Sequence, residues 1–297
     1  MDNSSSTQTP LIIEIRSNEM ASKELNPAIP YGPQEVVSDA LSAVEAGASM
    51  IHWHARDIDG AERPGETALY REVVEGIRSQ SDVLLHPTLG FIGTQNNAES
   101  RIRHILELNS NPATKIDIVP VDFGAFIADT WLEDEMGFAS TDGVLMNRTG
   151  YLEELLGTIH ENTIKVMSVV WSAGAVRTAR IMQRKGLLAS SAYWQFGFTG
   201  DSVPGGPPPT LANLHTFLEA IPQGDPWTIH VRDGDGFAMA LWAITLGGHV
   251  SIGLGDNPYS RLGHPDNSGL VRRIVNIAES LGRPVATIEH AREIIGV

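Results

Sequence analysis

The sequence predicts an α/β protein, a single-domain (β/α)8 barrel of the TIM type over residues 11–297 behind a disordered tail at residues 1–10. Three observations predict it. Apolar strand-like runs alternate with amphipathic helical runs about eight times, near the ~30-residue spacing of a βα unit. The strands are short and apolar on both faces, as in a parallel sheet buried between helices. Arg16-Ser17-Asn18-Glu19 after the first strand contains no glycine-rich dinucleotide turn, which makes a doubly wound open sheet the runner-up.

Taken in order, residues 11–15 form the first strand, with Ile13 and Ile15 on one face and Glu14 and Arg16 on the other. Charges inside a strand must be paired or face a polar cavity, and a buried Glu14–Arg16 ion pair is the simplest expectation. A loop with Pro27, Pro30 and Pro33 follows, then a helix over 34–45 that carries Val36, Val37, Ala40, Leu41 and Val44 and stops at Gly47. Strand 50–54 leads into an Asp57/Asp59/Gly60 turn and a helix over 69–78. Strand 83–86 is interrupted by Pro87 and resumes at 88–90, before a helix over 98–108. Strand 116–121 ends at Asp122. Residues 123–150 are too long for a mere connector and are expected to be functional or to form a subunit contact. Helix 151–161, strand 165–170, helix 173–185 and strand 193–198 come next. The remainder is read as helix 210–220, strand 227–232, helix 237–246, strand 249–252, helix 268–281 and a short helix near 289–295.

Bulk composition narrows the partners. The chain has 297 residues, 42% of them hydrophobic, and a formal charge of −15 that disfavours nucleic acid or an anionic membrane. With no cysteine, any metal must be held by histidine and carboxylates. The N-terminus has no apolar signal-like stretch, and no run approaches a membrane span. The expected setting is cytoplasmic, with neither nucleic acid nor a membrane as a main partner.

Polar residues gather at the carboxyl ends of the strands, where such barrels place their active sites. They are Glu14, Arg16 and Glu19; His52 and His54; His86 and Thr88; Asp122; His230, Arg232 and Asp233; and Asp256. Alternation in strand 50–54 puts His52 and His54 on one side, opposite Ile51 and Trp53, about 6–7 Å apart along the strand. Two imidazoles so placed can close on one divalent ion. Further ligands could come from His86, His230, Glu14 or Asp256. His249 is expected to be structural.

The stretch His52-Trp53-His54-Ala55-Arg56-Asp57, followed by Asp59-Gly60, resembles the His-x-His-Ala-Arg-Asp segment of the β-keto acid cleavage enzymes. Ile12 through Glu19, Asn26-Pro27-x-x-Pro30-x-x-Pro33, His86-Pro87-Thr88-Leu89-Gly90, Gly205-Gly206-Pro207-Pro208, Gly247-Gly248-His249-Val250 and Gly253-Leu254-Gly255-Asp256-Asn257 are similar in the same order. So are the segments around Leu270-Val271-Arg272, Gly282-Arg283-Pro284 and Ala291-Arg292-Glu293.

The resemblance implies a barrel with a divalent metal, usually zinc, on His52 and His54, and a reaction between a β-keto acid and acetyl-CoA. The metal would hold the keto acid through its keto and carboxylate oxygens, and an aspartate matching Asp256 would act as base. An enolate would add to the keto carbon, and carbon–carbon cleavage would yield acetoacetate and a new CoA ester. Glu19 matches a family glutamate near the substrate, and Thr88 lies near a substrate-binding hydroxyl residue. Arg16, Asp122 and Arg232 are further substrate-binding candidates, and a homo-oligomer is expected. Two positions depart from the family pattern. Gly255 stands where a third ligand, a glutamate, is expected, and Ser251 where an arginine is expected. Arg16 or Arg232 could supply the cation, and His230 or Glu14 the ligand. A CoA-independent metal lyase, aldolase or hydrolase, and a non-catalytic metabolite-binding protein, are the competing readings.

Overall fold

The computed structural model describes residues 8–19, 21–90 and 97–297. The first seven residues of the expected tail lie outside the described residues. Strands and helices alternate as the periodicity predicts: β1 (Ile13–Arg16), α1 (Gly32–Glu45), β2 (Met50–Trp53), α2 (Thr67–Arg78), β3 (Leu84–Pro87), α3 (Ala98–Asn109) and β4 (Ile118–Ile127). An excursion follows, with β5 (Trp131–Leu132), β6 (Gly137–Phe138) and β7 (Val144–Asn147). The chain then resumes with α4 (Thr149–Glu161), β8 (Lys165–Val170), α5 (Ala173–Arg184), β9 (Tyr193–Thr199), α6 (Leu211–Ala220) and β10 (Trp227–Arg232). It finishes with α7 (Phe237–Leu246), β11 (His249–Ile252), α8 (Asn267–Ser280) and α9 (Ile288–Ile295).

Eight of these strands run parallel in the order β3-β2-β1-β11-β10-β9-β8-β4, with β7 added antiparallel to β4. The sheet curls so that its two ends meet. The Asp117 amide donates to Leu85 O (3.3 Å), and the Asp117 carboxylate accepts the Leu85 amide (2.9 Å). That looser seam completes an α/β barrel.

Alternation along each strand decides what faces where. Ile13, Ile15, Ile51, Trp53, Leu85, Val119 and Val121 point outward and are buried under the helix layer. The helices answer with one apolar stripe each, as in Tyr70, Val73, Val74 and Ile77 of α2 at i, i+3, i+4 and i+7. Each such buried aliphatic side chain stabilises the fold by about 1.5–3 kcal/mol. The inward set is layered. Ile12, Met50, Leu84, Ile118, Met167 and Tyr193 form an apolar floor, closed from below by Ala291 and Ile295 of α9. The layer above it is polar, and that is where the site lies.

Three sequence expectations change. Strand β4 does not end at Asp122 but runs to Ile127 and turns back through β7, so residues 123–150 are a β excursion instead of a loop. Its strands are short and glycine-interrupted, which hides the period-2 signal. Pro87 lies within β3, and residues 88–90 have left the strand. Helix α1 begins at Gly32, with Pro33 in its first turn, where a missing amide costs nothing. Among the described residues no helix is long and apolar enough to cross a membrane.

Candidate active site and metal centre

The carboxyl ends of the strands open into a cavity of about 650 Å³ whose wall includes Arg16, Glu19, His52, His54, Asp122 and Asp256. It brings together the predicted catalytic, substrate-binding and histidine-pair residues, Thr88 and Arg232 included, whereas the further ligand candidates Glu14 and His86 do not line it.

His52 is buried at the end of β2. Its Nδ1 lies 2.7 Å from His86 O. A carbonyl only accepts, so Nδ1 carries the proton and Nε2 is left with its lone pair. Nε2 is buried and has no hydrogen-bond partner. Burial, then the Arg16 charge, holds the ring well below the usual histidine value and keeps it neutral. His54 is set the same way: its Nδ1 faces the Glu62 carboxylate at 3.1 Å. Its backbone is clamped by Asn18, whose Oδ1 accepts the His54 amide (2.9 Å) while Nδ2 donates to His54 O (3.1 Å). Two rings, each pinned through Nδ1 with Nε2 turned away from that partner, are the arrangement that metal-binding histidines adopt. Their centroids lie 5.5 Å apart.

Among the described residues, three sets of side chains converge closely enough to share an ion: Glu19 with His52 and His54, Glu14 with His52 and His86, and Glu19 with His230 and Asp256. The second set already holds an internal bond. Glu14 Oε1 bonds His86 Nδ1 (2.5 Å), and its Oε2 accepts from Gln195 Nε2 (3.2 Å). Burial pushes the Glu14 carboxyl up, but His86 and Arg16 hold it below its ordinary value. The third set is also paired, since His230 Nε2 lies 2.7 Å from Asp256 Oδ1. Only the first set has no hydrogen bond between its own members, and a divalent ion fits these donors.

The expected Glu14–Arg16 pair is not formed. The two side chains lie one strand period apart, and each finds a partner on another element. Arg16 Nη2 pairs with Glu19, and Arg16 Nε lies 3.2 Å from Asp256 Oδ1. Arg232 makes no ion pair among the described residues. His230 bonds Asp256, and Glu14 bonds His86 and Gln195. His249 is structural, its Nδ1 accepting the Ile12 amide at 3.0 Å.

Asp256 is raised above the usual carboxylate value by burial, against the opposing pull of His230 and Arg16. For Glu19, burial also works upward, but Arg16, His230 and His54 outweigh it and hold it at about 2. Both contacts of Asp256 use Oδ1, which leaves Oδ2 for a ligand.

Some working parts were not singled out from sequence. Trp171 donates from Nε1 to Asp122 Oδ1 (2.9 Å) and meets His230 edge-on at 5.4 Å. Its signal was the alternation Met167, Val169, Trp171 carried one residue past β8. Arg56 donates to Glu19 O (3.0 Å) and Ala21 O (2.6 Å) and lies 4.1 Å from the Tyr31 ring centroid, which fixes the turn bearing Glu19.

Comparison with known proteins gives a consistent picture. The profile of the beta-keto acid cleavage enzyme family matches residues 10–297. A 3-keto-5-aminohexanoate cleavage enzyme of Acetoanaerobium sticklandii is 31% identical over 279 residues, covering 93% of each chain. A 3-oxoadipate:acetyl-CoA acetyltransferase of Cupriavidus necator is 27% identical, covering 97% of this chain and 95% of that one. Among solved structures, apo ObcA superposes with a TM-score of 0.72 at 14% identity, over 91% of this chain and 66% of that one. The last likeness concerns the fold alone.

Proposed function

This chain belongs to the β-keto acid cleavage enzyme family, and from that premise we propose that it cleaves a β-keto acid with acetyl-CoA as co-substrate, on zinc held by His52 and His54. One observation carries the metal assignment: two imidazoles at one strand end, each pinned through Nδ1, with a buried and unpartnered Nε2 on His52. When bound, the metal supplies Lewis acidity that polarises the keto carbonyl.

The protein groups account for the rest. Asp256 takes a proton from C2, between the keto carbonyl and the carboxylate of the substrate, through its free Oδ2. Its raised carboxyl suits it to accept that proton and return it. His230 donates to Oδ1 and orients the carboxylate. Arg16 and Arg232 face the cavity as cations for the negative charge of keto acid and CoA, with Thr88 and Asp122 as polar contacts on the far wall. The bonds balance. Rather than an enolate adding to the keto carbon, the C2 carbanion takes the acetyl group from the CoA sulfur, the C2–C3 bond breaks, and the C3 acyl group ends on sulfur. The products are acetoacetate and a new acyl-CoA.

Assay of a keto-acid panel with and without acetyl-CoA tests the reaction: turnover should need acetyl-CoA and release acetoacetate, and CoA-independent turnover would reject it. His52→Ala should lose both bound metal and activity, whereas unchanged zinc content would count against the metal assignment. A cytoplasmic homo-oligomer is part of the same proposal. Ile127, Met136, Phe138, Val144 and Met146 are exposed on the β4–β7 excursion, which supports a subunit contact there. Light scattering behind gel filtration reads the oligomeric mass, and a monomer refutes that contact.

A further inference from the structure

We propose that Glu19 is the third protein ligand of the metal, in the space that Gly255 leaves open, so that the ligand set is His52, His54 and Glu19. The inference rests on the metal reading above.

The donor spacing is right. One ligand atom from each of the three residues lies within 4.8 Å of the other two. Donors about 2.1 Å from one zinc stand about 3.4 Å apart at tetrahedral corners. Glu19 Oε1 and His52 Nε2 are 3.6 Å apart, too long for a hydrogen bond between them.

The proton count also points to a cation. Because His86 O accepts from His52 Nδ1, the opposing Nε2 presents a lone pair, not a proton. A buried lone pair therefore faces a carboxylate oxygen with nothing between them, an arrangement that a positive ion relieves.

Shape gives the third argument. A Cβ built on Gly255 would stand 2.8 Å from Glu19 Cγ, closer than real Cβ atoms come. A side chain at 255 and this position of Glu19 exclude each other. Glu19 is moreover held at φ +34°, in the left-handed region that non-glycine residues rarely occupy, with its carbonyl bonded to Arg56. Strain of this kind persists where the surroundings over-determine it, commonly at a ligand clamp. Arg16 also contacts Oε1, but a carboxylate offers about four acceptor sites, so the second lone pair of Oε1 and the whole of Oε2 remain for the ion. Two nitrogens and one carboxylate oxygen suit a borderline divalent ion such as Zn²⁺, with a coordination position open for a ligand.

Metal-stripped full-length protein titrated with Zn²⁺ and with Co²⁺ tests this, read as affinity and as the visible absorption of the Co²⁺ form. Circular dichroism checks that each variant is folded. Outer-shell partners of metal ligands cost 10–100-fold when removed, so Glu19→Gln and Glu19→Asp should each weaken binding by about 100-fold or more and alter the Co²⁺ bands. The aspartate variant keeps the charge but shortens the reach. Binding by Glu19→Asp within about threefold of wild type, with an unchanged spectrum, would overturn the assignment, because Glu19 would then act through charge alone. Wild-type affinity in Glu19→Gln would overturn it too. If His52→Ala also binds normally, the metal reading itself is wrong; if only His52→Ala fails, that reading stands and Glu19 is not a ligand.

Discussion

Replacing Gly197 by alanine tests how rigidly the floor of the cavity is built. Gly197 sits in β9, directly under the indole of Trp171, and an added Cβ would lie 2.4 Å from Cε3 and 2.6 Å from Cδ2 of that ring. An ordinary carbon–carbon contact is about 3.5 Å, so the ring must retreat by about 1.1 Å. It has little room, being packed on Phe126 at 4.6 Å and against His230 at 5.4 Å. A shift of that size also carries Nε1 away from Asp122 Oδ1, now 2.9 Å distant, beyond hydrogen-bond range. Overpacking costs about 1–3 kcal/mol, and a buried polar group left unpaired a further 1–3 kcal/mol or so. The expected destabilisation is therefore about 2–6 kcal/mol. At roughly 2–4 °C per kcal/mol for a large domain, the melting temperature should fall by about 4–24 °C. Moving His230 by ~1 Å also disturbs Asp256, which can reduce turnover about 100-fold. Thermal melting followed by circular dichroism and initial rates with keto acid and acetyl-CoA are the two readouts. A melting temperature within about 1 °C of wild type, with normal turnover, would refute the reasoning.

Two further outcomes are expected. Asp256→Asn should lower kcat by about 10²–10⁴ while leaving bound metal unchanged, measured by steady-state kinetics with elemental analysis; a loss under tenfold removes Asp256 as the base. Away from the cavity, burial pushes the Asp39 carboxyl up from 3.8 to about 7, where it accepts from Asn267 Nδ2 at 2.9 Å. The folded chain then holds a proton that the unfolded chain releases near 3.8, so this group's contribution to stability falls as pH rises through that window and is lost by about 7. Melting temperatures at pH 5 and pH 8 should differ more for wild type than for Asp39→Asn, and equal differences would exclude Asp39 as the source.

The barrel was legible because its cause is local. Period-2 runs such as Ile13, Ile15 and Ile51, Trp53 and stripes such as Tyr70, Val73, Val74, Ile77 each specify an element and its buried face without reference to the rest of the chain. The β4–β7 excursion was not legible, because two-residue strands set among glycines carry no period. The histidine pair was legible for the same local reason as the strands: His52 and His54 are two residues apart, and the pleat alone puts them on one side.

Which groups those histidines meet was a different kind of question. The alphabet of the site could be read along the chain, since Arg16, Glu19, Thr88, Asp122, Arg232 and Asp256 all reach the same cavity. Their partnerships could not. Glu14 pairs with His86, 72 positions away, and Arg16 with Asp256, 240 positions away, because β1 lies between β2 and β11 in the closed sheet. Spacing along one strand suggested that Glu14 and Arg16 would pair with each other. The barrel instead offered Glu14 a partner two strands away on β3, and Arg16 partners in the turns after β1 and β11. Local sequence determined the elements, their faces and the pair of imidazoles. Only the closure of the sheet decided that Arg16 lies against Asp256, and that Glu19 lies in the space left at Gly255.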